Sequence, residues 1–185
     1  EDWQQKEEEF LFKQATIRAD IRIKEGRPKP IDILYKLVKR DPDVKSIHPL
    51  DVFKVLHFSS KLIFQGLSTA DLAELRKEID LYLKFDTNPQ FWEAIRIVCE
   101  DEMEIDRKKR EDEVVHSAVS DDIARVFAGK SYQELLTLES QIRDKVEKGT
   151  ALDVEYWQSL LTKLKIFKAK AKIQEIYAQI TGSQP

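Results

Sequence analysis

The residue types that most often carry chemistry are thinly spread along this chain. Its three histidines, His48, His57 and His116, and its single cysteine, Cys99, lie far apart with no metal-ligand spacing, so neither a zinc nor a haem site is expected. Glycines 26, 66, 129, 149 and 182 are isolated, which leaves no glycine loop to cradle a phosphate and no nucleophile elbow. Four carboxylates, Glu100, Asp101, Glu102 and Glu104, fall within five positions. Helical geometry spreads them around more than half the circumference, and they read as a solvated acidic face rather than a cation site. Cys99 falls on an apolar side with Ile95 and Met103 and reads as a small core residue rather than a reactive thiol. No catalytic, cofactor-binding or metal-binding residue is assigned; the chain is expected to be no enzyme and to need no cofactor and no small-molecule substrate.

Two basic clusters remain as candidate binding residues. Arg18, Arg22, Lys24, Arg27 and Lys29 run off the first helix into the turn Gly26-Arg27-Pro28-Lys29-Pro30, with Arg18 and Arg22 one turn apart on a face suited to a phosphate or an acidic partner. In the last helix Lys163, Lys165, Lys168, Lys170 and Lys172 occur with no acidic residue between Tyr156 and Gln174. Lys165, Lys168 and Lys172 line up beside the apolar stripe and are the candidate RNA-backbone contacts. The plainer alternative is that these lysines solvate the outer face and lie over core residues. Neither cluster offers an aromatic platform for bases, which favours phosphate or protein contact over sequence-specific reading of RNA.

The elements that must position these residues read as helices. Phe10, Ile17 and Ile21, with Gln14 as a polar break, trace one face of a helix from Gln5 to Lys24 that Gly26 ends. Pro30 starts a short second helix through Ile31, Leu34, Leu37 and Val38, and residues 41–65 are expected to be irregular around Pro42 and Pro49. Ser68 to Asp71 caps a helix over 69–84 carrying Leu72, Leu75, Ile79 and Leu83. Asn88-Pro89 caps and starts another, with Phe91, Trp92, Ile95, Val98, Cys99 and Met103 inward. Residues 106–113 contain no apolar side chain and must be solvated. Beyond them, Ile123, Val126 and Phe127 mark a short helix ending at Gly129, and Ser131 opens one with Leu135, Leu138, Ile142 and Val146 inward. Asp153 caps the last helix, whose stripe is Trp157, Leu160, Leu161, Leu164, Phe167, Ala171, Ile176 and Ile180.

An internal repeat organises the middle. Phe64, Gly66, Ser68, Asp71, Leu72, Leu75 and Ile79 recur in order as Phe127, Gly129, Ser131, Glu134, Leu135, Leu138 and Ile142, without a gap, and Phe91-Trp92 is answered by Tyr156-Trp157. The expected fold is all-α: a long N-terminal helix followed by two stacked, duplicated helical hairpins that bury each other's apolar faces. The organisation is an N-terminal segment with the basic turn and an irregular linker (1–63), a first hairpin (64–118) and a second (119–185). Composition agrees. Of 185 residues 35% are charged and 42% hydrophobic, with only Gly 5 and Pro 6, a balance that argues against a β-barrel and against disorder. A net charge of −3 argues against a generally basic nucleic-acid binder, so any RNA contact is local. One cysteine suits a reducing compartment, and no signal peptide or membrane-spanning run is expected. The acidic start and short polar end read as those of a fragment of a longer protein.

Taken together, the segments QATIRADIRIKEGRPKPIDIL (14–34), FQGL (64–67), VSDDI (119–123), GKSYQEL (129–135) and VEYW (154–157) followed by FKAKAK resemble the conserved middle region of the cactin family over nearly the whole chain. The run R-x-x-I-R-x-x-x-G-R-x-K-P-I-D at 18–32 is its most specific part. Residues 41–63 depart from the family pattern, carrying His48-Pro49 and HFSSK in place of an acidic stretch, and 106–113 is shorter than the expected insertion. The resemblance implies a nuclear, non-enzymatic, spliceosome-associated factor supporting pre-mRNA splicing. It also implies an Arg/Ser-rich, coiled-coil-prone N-terminal part and a separate C-terminal domain in the parent. Its expected partners are spliceosomal proteins, alternatively RNA backbone, and in a second role IκB-type (Cactus) proteins of Rel/NF-κB signalling, with no membrane contact. A partner-contact role is expected for Arg18, Arg22, Arg27, Lys29 and Asp32.

Overall fold

The computed structural model describes residues 2–39, 64, 66–111, 117–149 and 153–181, and it is all-α. Seven helices follow one another among these residues: α1 (Asp2–Lys24), α2 (Pro30–Val38), α3 (Thr69–Phe85), α4 (Pro89–Arg110), α5 (Ser117–Phe127), α6 (Tyr132–Glu147) and α7 (Val154–Thr181). The histidines and most of the expected irregular linker lie outside the described residues.

Local chemistry sets the helix starts. Ser68 Oγ accepts the Asp71 amide at 3.1 Å while Asp71 Oδ2 accepts the Ser68 amide at 3.2 Å, a reciprocal box that satisfies two amides the helix cannot. Ser131 accepts the Glu134 amide at 3.2 Å, and Asp153 accepts that of Tyr156. The turns before α3 and α6 share one geometry. Gly66 and Gly129 sit at φ 82° and 73°, in the left-handed region that favours glycine, and Ser68 and Ser131 both have φ −71°. Asn88 departs from expectation: its side chain does not cap α4 but donates to Asp86 Oδ2 at 3.2 Å, and Pro89 alone opens the helix with the missing amide that position tolerates.

Packing builds two cores that share α7. The first joins α2, α3 and α4, with Leu34, Ile79, Tyr82, Trp92, Ile95, Val98 and Cys99 sealed from solvent. The second joins α5, α6 and the front of α7 through Ile123, Phe127, Leu135, Leu160 and Leu164. α7 lends Leu160 and Leu164 to the second core, then rotates Ala169 and Ile173 into the first. The single expected stripe is therefore replaced by two inward faces that overlap along the helix, because two cores lie on different sides of it. On α5, Val126 is exposed, while Ile123 and Phe127 point inward.

α1 also turns the other way. The expected inward stripe of Phe10, Ile17 and Ile21 is exposed, and Ala19 with half-buried Phe12 and Ala15 makes the packing face instead. Phe12 is chosen by its fit: its ring meets Tyr82 edge-on at 5.2 Å and stacks on Phe85 at 5.7 Å, geometries aromatic pairs prefer.

Candidate functional site

The first basic cluster sits at the elbow between α1 and α2. Arg22, in the last turn of α1, forks onto Asp32 with Nε to Oδ2 at 2.7 Å and Nη2 to Oδ1 at 2.8 Å. Asp32 is fully buried and also accepts the Lys29 amide at 2.8 Å, closing the first turn of α2. The hydrogen bonds that Arg22 donates to Asp32 hold its guanidinium above its usual pKa, against the opposing effect of burial. Lys29 reaches α3, with Nζ 3.1 Å from Glu74 and 3.4 Å from Glu78. Burial pulls its ammonium down, but the Glu74 hydrogen bond and the charge of Glu78 outweigh that, and its pKa lies above the usual lysine value. The same burial pushes the Glu78 carboxyl up. Arg22, Lys29 and Asp32 are thus joined in one network that fixes the elbow against α3. Arg18 and Arg27 point outward, Arg27 with a surface partner in Glu25.

The second cluster is brought together in a groove of about 570 Å³ between α4 and α7. Lys165, Lys168 and Lys172 form one wall; Leu83, Ala94 and Ile97 supply an apolar floor. Lys168 pairs with Glu139 of α6. Lys172 lies over the Tyr132 ring at 4.8 Å, with Glu175 at 3.7 Å. Lys165 is exposed at the rim. Glu93 is the carboxylate on the opposite wall, so the lining carries a net positive charge. Such a surface can hold an anionic group against the lysines while burying an apolar one beneath it.

In the acidic run Glu100 and Glu104 are exposed, as expected of a solvated face, whereas Asp101 and Glu102 are half-buried. Glu100 takes Arg76 at 2.8 Å and Glu104 takes Arg107 at 2.6 Å, while Asp101 is half-buried and its carboxyl is pushed up by burial, against the lowering charges of Lys163 and Lys170. Among the described residues no group of three histidine, cysteine or acidic side chains could hold a metal ion. Burial pushes the Cys99 thiol up to about 11, so at neutral pH it is a protonated, packed side chain and not a nucleophile. No helix among the described residues is long and apolar enough to cross a membrane.

The family model for the conserved mid region of cactin matches residues 1–177. The chain belongs to the cactin family. Splicing factor Cactin of Arabidopsis thaliana is 32% identical over 97% of this chain and 33% of its own length. The human protein of that name is 31% identical over 96% of the chain and 24% of its length, and splicing factor cactin of Schizosaccharomyces pombe is 30% identical over 92% and 34%. The chain thus spans about a third or less of these relatives. No solved structure matches it.

In this cactin mid region two residues that shape the lysine groove escape a reading of the sequence, and a third, Asp86, ties the turn before α4 to α2 and α4 outside both candidate sites. Tyr132 and Glu139 orient two groove lysines from a different helix, a long-range placement no spacing encodes. Asp86, whose Oδ2 accepts Trp92 Nε1 at 2.8 Å and whose Oδ1 lies 2.7 Å from Lys39 Nζ, had a local signal in the string Asp86-Thr87-Asn88-Pro89, where an acidic residue sits in a tight interhelical turn.

Proposed function

We propose that this chain is a non-enzymatic scaffold within a splicing factor, working in the nucleus by holding spliceosomal proteins. The splicing role follows from the family, whose members named above are called splicing factors. The protein-contact mechanism rests on one observation: the groove between α4 and α7 sets three lysines over a floor of Leu83, Ala94 and Ile97. An apolar floor gains from burying aliphatic or aromatic side chains, which a peptide with acidic and apolar residues supplies and a sugar-phosphate backbone does not. Outward-facing Arg18 and Arg27 extend the contact surface, while Arg22, Lys29 and Asp32 serve it by fixing the elbow.

One feature favours a second reading. Lys165 at the rim and Lys172 about two helical turns further along α7 line the same wall and could follow a phosphate backbone, which would make that wall an RNA contact. The two readings separate in one experiment: capture from nuclear extract on the immobilised chain, with and without ribonuclease, beside the K165E/K172E variant. The scaffold reading expects spliceosomal proteins that survive ribonuclease and are lost from the variant. Loss of everything on ribonuclease treatment, with RNA affinity falling by several log units per log unit of salt, would overturn it in favour of RNA.

A further inference from the structure

α1 has two opposed faces, and among the described residues only one is used by the rest of the fold. Toward the body, Ala19 is fully buried, Phe12 packs on α3, and Glu8 pairs with Lys84. On the other side Trp3, Phe10, Ile17 and Ile21 are 76%, 58%, 51% and 47% exposed. Soluble proteins usually scatter such residues singly rather than aligning them along one helix.

The alignment has a period. Positions 3, 7, 10, 14, 17 and 21 alternate four and three apart, the 3.5-residue repeat with which one helix packs along another. In that heptad Phe12 and Ala19 take the position farthest from the seam, so α1 can hold the body and a second helix at once. Lys6, Lys13 and Arg18 occupy the flanking positions and are exposed, with no carboxylate partner among the described residues. The acidic flanking residue of the helix, Asp20, is taken by Lys36 at 2.6 Å. A parallel second copy is a poor fit, because Glu7 in the seam would face its own equivalent and Lys13 would face Arg18.

We propose that the outer face of α1 docks an amphipathic helix of another protein whose seam is aliphatic and whose flanking residues are acidic. This deepens the protein-contact reading at Arg18 by giving the partner a chemistry, and it makes no use of the lysine groove, so either surface can fail alone. Two synthetic three-heptad peptides with leucine and isoleucine seams, one with glutamate at every flanking position and one with lysine, are titrated against the intact chain by fluorescence anisotropy. The glutamate peptide is expected to bind roughly tenfold tighter, the sum of several weak flanking ion pairs. K6E/K13E/R18E is expected to invert that preference, and I17D/I21D to abolish binding with an unchanged circular-dichroism melt. Equal affinity for the two peptides, binding of neither, or self-association of the chain that I17D/I21D removes would overturn the proposal, the last by making a second copy the occupant.

Discussion

Replacing Arg22 by Met is expected to destabilise the fold by about 4 kcal/mol at pH 7, more than replacing its buried partner Asp32 by Asn. The asymmetry follows from which charge is stranded. Asp32 is fully buried, whereas the Arg22 side chain keeps 21% of its surface in water, so Arg22 deprived of Asp32 can turn to solvent. Asp32 deprived of Arg22 keeps only the Lys29 amide, and a buried unpaired carboxylate costs several kcal/mol. Asn at 32 still accepts the Lys29 amide and strands no charge, so R22M/D32N should be more stable than R22M alone. Urea melts of the four proteins at pH 7 measure this. A D32N loss larger than that of R22M, or a double variant no more stable than R22M, would show that the elbow is not held by this pair.

Trp92→Ala is expected to cost a further-ranging 3–5 kcal/mol, as large aromatic truncations in tight cores do. That is a large part of the ~5–15 kcal/mol that holds a typical domain together. Trp92 is fully buried, and its ring lies 4.9 Å from Tyr82 and 5.1 Å from Phe91. Tyr82 in turn meets Phe12 and Tyr35 edge-on, so the cluster ties α1 and α2 to α3 and α4. Trp92→Phe isolates the polar part of the effect. Burial alone would push the Asp86 carboxyl up, but hydrogen bonds from Lys39, Trp92 and Asn88 together bring it below its usual value. A depressed folded pKa gives stability that is present above the ordinary carboxylate range and is lost as pH falls through the folded value. W92F removes one of those donors and brings the folded value back toward the ordinary one. Its acid-induced loss of stability should therefore begin at the same pH as in the parent chain but be smaller and finish at a higher pH. A W92F acid profile that overlays the parent's would mean that the indole nitrogen does not tune Asp86.

Much of the fold is legible in the sequence where the cause is local. Ser68, Ser131 and Asp153 announce their helices by side-chain oxygens three residues ahead of the amides they satisfy, and Gly66 and Gly129 mark turns a side chain would strain. The faces of the helices are less legible where a helix serves more than one neighbour. On α1 the strongest apolar stripe points to solvent and a weaker one, Phe12, Ala15 and Ala19, packs inward, because small residues allow α1 to approach α2 and α3 closely. On α7 two cores divide the apolar residues between two faces, and Ala169 and Ile173 fall off any single stripe. The basic elbow is legible as a cluster but not as a network. The pairing of Arg22 with Asp32 had one readable sign, an acidic residue at the third position after Lys29, where a carboxylate caps a helix. The groove needed the fold itself, since its lysines lie on α7 and its floor on α3 and α4.

The claim that matters most is that the lysine groove holds a protein on which splicing depends. The most direct test adds the purified chain in excess to a splicing-active nuclear extract, where it competes for whatever the groove binds. Intron removal from a reporter transcript should fall with increasing wild-type chain, and K165E/K172E, folded by circular dichroism, should need roughly ten times the concentration for the same effect. Equal inhibition by both chains, or none by the wild type, would contradict the account.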